Sequence, residues 1–208
     1  AADRIWLAHR AVAALDGRSA AALGLPPLPD LTFATDVDGI VGSPGFRLRY
    51  RWLRNGAAEP VARTGAILHT GTGDCRIPLA ILRAIELADA GLTGGNEADW
   101  NALARFRAAL LGADADAAGR IATSDFLSGL EVHLASGFSM DPRAGQNGLD
   151  FEIRAHQGQE TGAPEVGADA ASVSARIRER GALPAYRLGR GSFLVVDTAA
   201  RPVLDVMT

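Results

Sequence analysis

Lysine is missing from this chain. All 21 basic residues among its 208 are arginines. That excludes a P-loop lysine, a Schiff-base lysine and a kinase-type lysine, and with them the phosphoryl-transfer and imine chemistries those groups serve. Cysteine occurs once, at Cys75. A lone cysteine forms no internal disulfide and no Cys-x-x-Cys site, and it suits a reducing compartment. No apolar run reaches the roughly 18 residues that read as a membrane span, and the opening "AADRIWLAHR" mixes charges into its apolar positions, unlike a signal peptide. The expectation is a cytoplasmic protein with no membrane partner. Strong charge of either sign is also lacking: the formal net charge is −3, whereas a dedicated nucleic-acid binder usually carries net positive charge. What is present is ordinary globular material, 48% hydrophobic with mean hydropathy +0.07, enough to bury a core. Arginine without lysine, with abundant Ala and 24 Gly, matches a GC-rich bacterial genome. The chain lacks an initiator Met, and its apolar end "RPVLDVMT" is expected to be a cut in something longer.

Along the chain, "DRIWLAHRAVAALDG" reads as a helix, with Asp3 as N-cap, a stripe of Ile5, Ala8, Val12 and Leu15, and Gly17 as its stop. "LGLPPLPD" is a Pro-rich connector. From Phe46 the pattern alternates: Phe46, Leu48, Tyr50 and Trp52 point one way, Arg47, Arg49 and Arg51 the other, the period of a half-buried strand. "GAILHT" is a second strand of a small meander. "PLAILRAIELADAG" opens with Pro78 in its first turn and ends near Gly91. "NEADWNALARFRAALLG" has Asn96 as N-cap, and Trp100, Leu103, Phe106 and Leu110 as its buried stripe. "LEVHLASGFSM" and "LDFEIRAH" read as strands joined by the turn "DPRAGQNG", and "QGQETGAPEVG" as an exposed loop. "ASVSARIRERG" is a helix, followed by a hairpin or paired strand in "YRLGRGSFLVVD". Strands and helices come in blocks, so the fold class is α+β: antiparallel sheets with helices packed on one side. One domain over residues 1–208 is expected, with a possible sub-division into 1–112 and 113–208.

Few constellations point to chemistry. Asp36-Val37-Asp38-Gly39 resembles the first motif of haloacid-dehalogenase-type phosphatases, in which the first Asp attacks phosphorus and the second is the general acid/base. Ile40 stands where that motif has Thr, and the helper lysine cannot exist. The alternative reading is a solvated turn built by Asx side chains with Gly39, Gly42 and Pro44. Gly71-x-Gly73 reads as a tight hairpin turn rather than a phosphate loop. Asp74 beside Cys75 raises the thiol pKa rather than activating it. His9, His69, His133 and His156 lack a shared ligand spacing, and Ser192 lies outside any Gly-x-Ser-x-Gly elbow. No catalytic residue, metal or cofactor is expected. Arg47, Arg49 and Arg51, with Arg54 at the strand end, could meet successive phosphates at about 6.5–7 Å spacing. They could equally form a solvent-facing ladder paired with acids on neighbouring strands. Arg176, Arg178 and Arg180 do not form one patch, because helix positions two apart diverge by about 200°.

Several blocks in order resemble the region N-terminal to the motor in bacterial Swi/Snf-type (superfamily 2) helicase-like ATPases. They are "GSPGFRLRYRWL" (42–53), "RTGAILHTGTGDCRIPLAILRAIELAD" (63–89), "FLSGLEVHLASGFSMD" (126–141), "LDFEI" (149–153) and "PAYRLGRGSFLVVDTAARPVLDV" (184–206). The resemblance implies an accessory domain without ATPase residues of its own. The motor would lie downstream of Thr208, as a partner in the same chain, and DNA would be a further partner. "RPVLDVMT" would begin a connecting helix. It transfers no site residues. Two alternatives stay open: a stand-alone nucleic-acid-binding module using Arg47, Arg49, Arg51 and Arg54, and a small phosphate-ester hydrolase using Asp36 and Asp38.

Overall fold

The computed structural model describes residues 8–91, 96–145, 148–157, 165–168, 170–197 and 199–208. The fold is α+β, with sheets that are antiparallel or mixed. By internal contact the chain divides into two compact units, Ala1–Thr93 with Ala109–Ser128, and Gly94–Ala108 with Gly129–Thr208. Ala109–Ser128 belongs with the first unit, where a strand near residue 121 pairs with one near residue 33.

The first unit opens with α1 (His9–Ala14) and α2 (Gly17–Ala22). Gly17 does not stop the opening helix. Leu15 turns extended, and the Asp16 carboxylate accepts the Ser19 N–H at 2.8 Å, so Asp16 caps a new helix that Gly17 begins. Asp3 and Ile5 lie outside the described residues. Then come β1 (Thr32–Asp38), β2 (Arg47–Arg54), β3 (Ala57–Ala58), β4 (Ala62–Thr64), β5 (Ile67–Thr70), β6 (Gly73–Arg76) and α3 (Leu79–Asp89). α4 (Asn96–Leu111) follows, and α5 (Ala115–Ala118), β7 (Ile121–Thr123) and α6 (Asp125–Ser128) complete the unit. One sheet has the order β3-β2-β1-β7, with β1 and β7 parallel, and β4-β5-β6 form the meander. Alternation on β2 is as the sequence dictates: Leu48 and Trp52 are buried and Arg47, Arg49 and Arg51 exposed. Phe33 on β1 joins the inner face, its ring 5.0 Å from Trp52 and 5.5 Å from Tyr50. The loop after β1 needs Gly39 twice over. Its φ is +80°, and a Cβ there would stand 2.8 Å from the Gly45 carbonyl oxygen. α3 follows Pro78 and buries Ile81, Leu82 and Ile85.

The second unit takes the first part of α4 and then β8 (Glu131–Ala135), β9 (Gly137–Gly145), β10 (Gly148–His156), α7 (Ala170–Arg180), β11 (Ala185–Arg187), β12 (Ser192–Val196) and α8 (Arg201–Met207). "LEVHLASGFSM" is therefore two strands. β8 joins the sheet β11-β12-β8, parallel to β12, while β9 pairs with β10. The expected turn at "DPRAGQNG" is strand as far as Gly145. Ala135, Ile153, Val173, Ile177, Tyr186, Leu194 and Leu204 belong to one buried cluster. Each fully buried Ile or Leu of it is worth about 1.5–3 kcal/mol in transfer free energy. Among the described residues, no helix is long and apolar enough to cross a membrane.

Candidate anion-binding groove

The arginine face of β2 is real, but it is shared with acids. The antiparallel register sets Asp36 opposite Arg49 and Asp38 opposite Arg47, so both carboxylates project from the arginine side of the sheet. Arg49 binds Asp38 at 3.0 Å. Arg47 donates to the carbonyls of Pro44 and Phe46, at 3.0 and 2.7 Å. Arg54 is half-buried, paired with Glu59 at 3.3 Å and bonded to the Thr72 hydroxyl at 3.2 Å. The Arg51 side chain alone of the four makes no hydrogen bond or ion pair among the described residues. Asp36 and Asp38 are not in a turn. They sit at exposed positions within β1, and Asp36 accepts from the Val37 N–H. Two carboxylates facing a row of guanidinium groups make the ladder arrangement of cross-strand opposite charges.

His69 sits in a polar cluster on the meander. Its Nδ1 is 2.8 Å from Asp74 and its Nε2 3.1 Å from the Thr64 hydroxyl. The connectivity is that of a nucleophile–base–acid relay, but the imidazole is 42% exposed, and a relay needs a water-excluded, preorganised site to be effective. Cys75 is half-buried, and burial is the main cause that raises its thiol pKa.

A more concentrated feature lies wholly in the second unit. A groove of about 760 Å³ is lined by Asn96, Glu97, Trp100 and Asn101 of α4, by Arg176 and Arg180 of α7, and by the hairpin segment from Tyr186 to Arg190. Local sequence explains each wall. Arg176 and Arg180 are four apart on a helix, one above the other on one face, while Arg178 turns away and grips Asp150 at 2.9 and 3.3 Å. Gly181 takes φ +67° and ends α7. The Tyr186 hydroxyl donates to the Gly181 carbonyl at 2.5 Å and accepts the Leu183 N–H at 2.7 Å. That pair of bonds ties the end of α7 to the start of β11, and burial pushes the phenol pKa up. Arg187 stands opposite Phe193 in the β11–β12 ladder. Its Nε donates to Gly189 O at 3.3 Å, and its guanidinium lies 4.8 Å from the centre of the Trp100 ring. Wholly buried Phe193 stacks with Trp100 at 5.6 Å and 23°. Trp100, expected in the buried stripe of its helix, is instead half-buried and forms part of the groove wall.

Four arginines and one carboxylate line this groove. Its unit as a whole carries ten arginines against twelve acids, so the positive charge here is local. Arg180 pairs with Glu97 at 2.5 Å and Arg176 with Glu179 at 3.1 Å. These exposed bridges are weakly held and can be exchanged for another anion. The arrangement can bind a planar, negatively charged group. The sequence signal for it was the i,i+4 pair Arg176 and Arg180, which a reading of neighbours two apart passes over. Set against models of known protein families the chain matches none, and no curated protein matches it.

Proposed function

We propose that the chain is a non-catalytic, cytoplasmic accessory domain of a Swi/Snf-type DNA-dependent ATPase, working by contact with nucleic acid and with a downstream motor of the same chain. One observation carries the contact: the arginine groove of the second unit, which concentrates positive charge in an otherwise acidic unit. Electrostatic attraction for phosphate dominates nucleic-acid affinity, and arginine is the side chain whose fork best matches a phosphate. The groove supports this reading better than the β2 face, where Asp36 and Asp38 offset Arg47 and Arg49. The motor is the part that rests on the ordered resemblance of residues 42–206. A chain without lysine supplies no P-loop of its own, and in this reading the domain needs no cofactor.

The test compares the parent protein with a form lacking residues 1–208. Steady-state ATPase rate and DNA affinity are measured for both. A change in either, restored by adding the domain back, supports the reading. Identical values for both quantities reject it.

A further inference from the structure

We infer that the groove accepts nucleotide steps of single-stranded nucleic acid, with a base packed against the Trp100–Arg187 pair and the flanking phosphates on Arg176, Arg180 and Arg190. This rests on the accessory-domain reading and narrows it from polyanion contact to one kind of strand. Four features of the second unit lead there.

The first is the platform. The Trp100 ring is stacked on the buried Phe193 and carries the Arg187 guanidinium over it at 4.8 Å, so the platform presents an exposed guanidinium held on an aromatic stack. Unpaired bases stack on aromatic rings and on guanidinium planes, whereas bases inside a duplex have no free faces. The second is spacing. Arg176 and Arg180 lie one turn apart, about 6 Å along the helix axis, which suits neighbouring phosphates of an extended strand. Arg190 lies on the hairpin segment, so phosphate anchors come from two elements around the platform. The third is size. A volume of about 760 Å³ falls in the range of sites for small ligands; it admits a nucleotide or two and not a double helix. The fourth is the polar complement. Asn96 and Asn101 carry side-chain amides that both donate and accept, the groups that read the edges of an unstacked base.

Glu97 gives the proposal its sharpest consequence. It occupies Arg180 in the free protein, so an arriving phosphate must displace it. Glu97 then acts as a resident competitor that weakens binding. A bridge with a purely structural role would make its removal neutral or harmful to binding; a competitor makes its removal favourable.

The experiment uses the whole 208-residue chain and fluorescein-labelled (dT)8, with fluorescence anisotropy read from 50 to 200 mM salt. The expected result is binding tighter to (dT)8 than to a duplex of equal length, with a log–log salt slope near −2, about −0.7 for each of three phosphate contacts. Arg190→Gln lowers the slope by about 0.7. Arg187→Met, which keeps the stem and removes the guanidinium plane, weakens binding about tenfold, in line with the value of one stacked base. Glu97→Gln tightens it about fivefold, the scale of one exposed charge interaction. All three side chains are exposed, and near-UV circular dichroism checks that each variant folds as the parent does. A duplex that binds as tightly as (dT)8, or an Arg187→Met variant with unchanged affinity, overturns the strand inference and leaves the accessory-domain reading standing. ATP displacing (dT)8 at lower concentration than unlabelled (dT)8 does would assign the groove to a free nucleotide and also overturns it. An acidic peptide competing as well as (dT)8 removes the base from the argument. Absence of binding to either nucleic acid rejects the nucleic-acid contact at both levels.

Discussion

Arg76 is 2% exposed at the end of β6, and replacing it by Met tests how the first unit holds its opening helix. The guanidinium Nη1 donates to three carbonyls at the end of α1: Val12 at 3.2 Å, Ala13 at 3.3 Å and Leu15 at 2.6 Å. Helix ends leave such carbonyls without intrahelical donors, and a cation there also meets the negative end of the helix dipole. The opposing costs are visible too. Burial is the leading cause that lowers the Arg76 pKa, and Nε has no hydrogen-bond partner among the described residues. Only the Leu15 contact has the short geometry of a charge-assisted bond. Counting it at about 2 kcal/mol, the two longer ones at about 0.5 each, and relief of the unpartnered Nε–H at about 1 leaves a net loss of about 2 kcal/mol. Met fills much of the same volume with a flexible chain, so the cavity contribution is small. For a chain of this length that loss lowers Tm by about 4–8 °C. Thermal and urea unfolding measure the global effect, and amide exchange in α1 measures the local one. An Arg76→Met variant as stable as the parent, with unchanged exchange in α1, would refute the reasoning. It would mean that desolvation of the guanidinium cancels all three bonds, as happens for many buried ion pairs.

Gly39→Ala and Gly56→Ala separate strain from collision. Both glycines have φ near +80°, but only Gly39 has a carbonyl 2.8 Å from the added Cβ. Gly56→Ala is expected to cost about 1 kcal/mol for the left-handed backbone and Gly39→Ala at least about 1 kcal/mol more for the overlap, compared by urea unfolding. Tyr186→Phe deprives the Gly181 carbonyl and the Leu183 N–H of their partner and is expected to cost about 1–3 kcal/mol, read as a fall in urea midpoint at unchanged slope. Asp150 is held below the usual carboxylate pKa, chiefly by its hydrogen bonds from Arg178. Because the folded-state value is the lower one, its contribution is present above the unfolded pKa and is lost as pH falls through the folded one. Asp150 should therefore titrate by NMR below a model carboxylate, and Arg178→Gln should return its midpoint upward.

The α+β class was legible because its signals are local. The period of two from Phe46 to Trp52 requires a strand with one wet face, and Pro78 and Gly91 bracket α3 as punctuation. The first-unit miss has an equally local cause. Asp16 followed by Ser19 is a capping pattern, and it outweighed Gly17 as a stop. Asp36 and Asp38 looked like turn residues because their strand partners, Arg49 and Arg47, supply cross-strand charges that a linear reading does not see. The groove was the hardest part. Its arginines come from α7 and the β11–β12 hairpin, its tryptophan from α4, some 76 to 90 positions earlier. The packing of Trp100 on Phe193, the Arg187 guanidinium over the Trp100 ring and the Arg180–Glu97 pair bring them together, and no spacing rule along the chain encodes those contacts.

β1 has a consequence for biosynthesis. Its side-chain and backbone partners on β7 lie 87 and 88 residues further along. At about 5–20 residues per second, roughly 4–17 s separate the emergence of one strand from that of the other. During that interval one border of β1 is an open template for a stranger's strand, the condition under which nascent chains stick to each other. A ribosome stalled before residue 121 would thus release an adhesive product rather than an inert one, and a chaperone that shields the "TFATDV" segment would be needed most in those seconds.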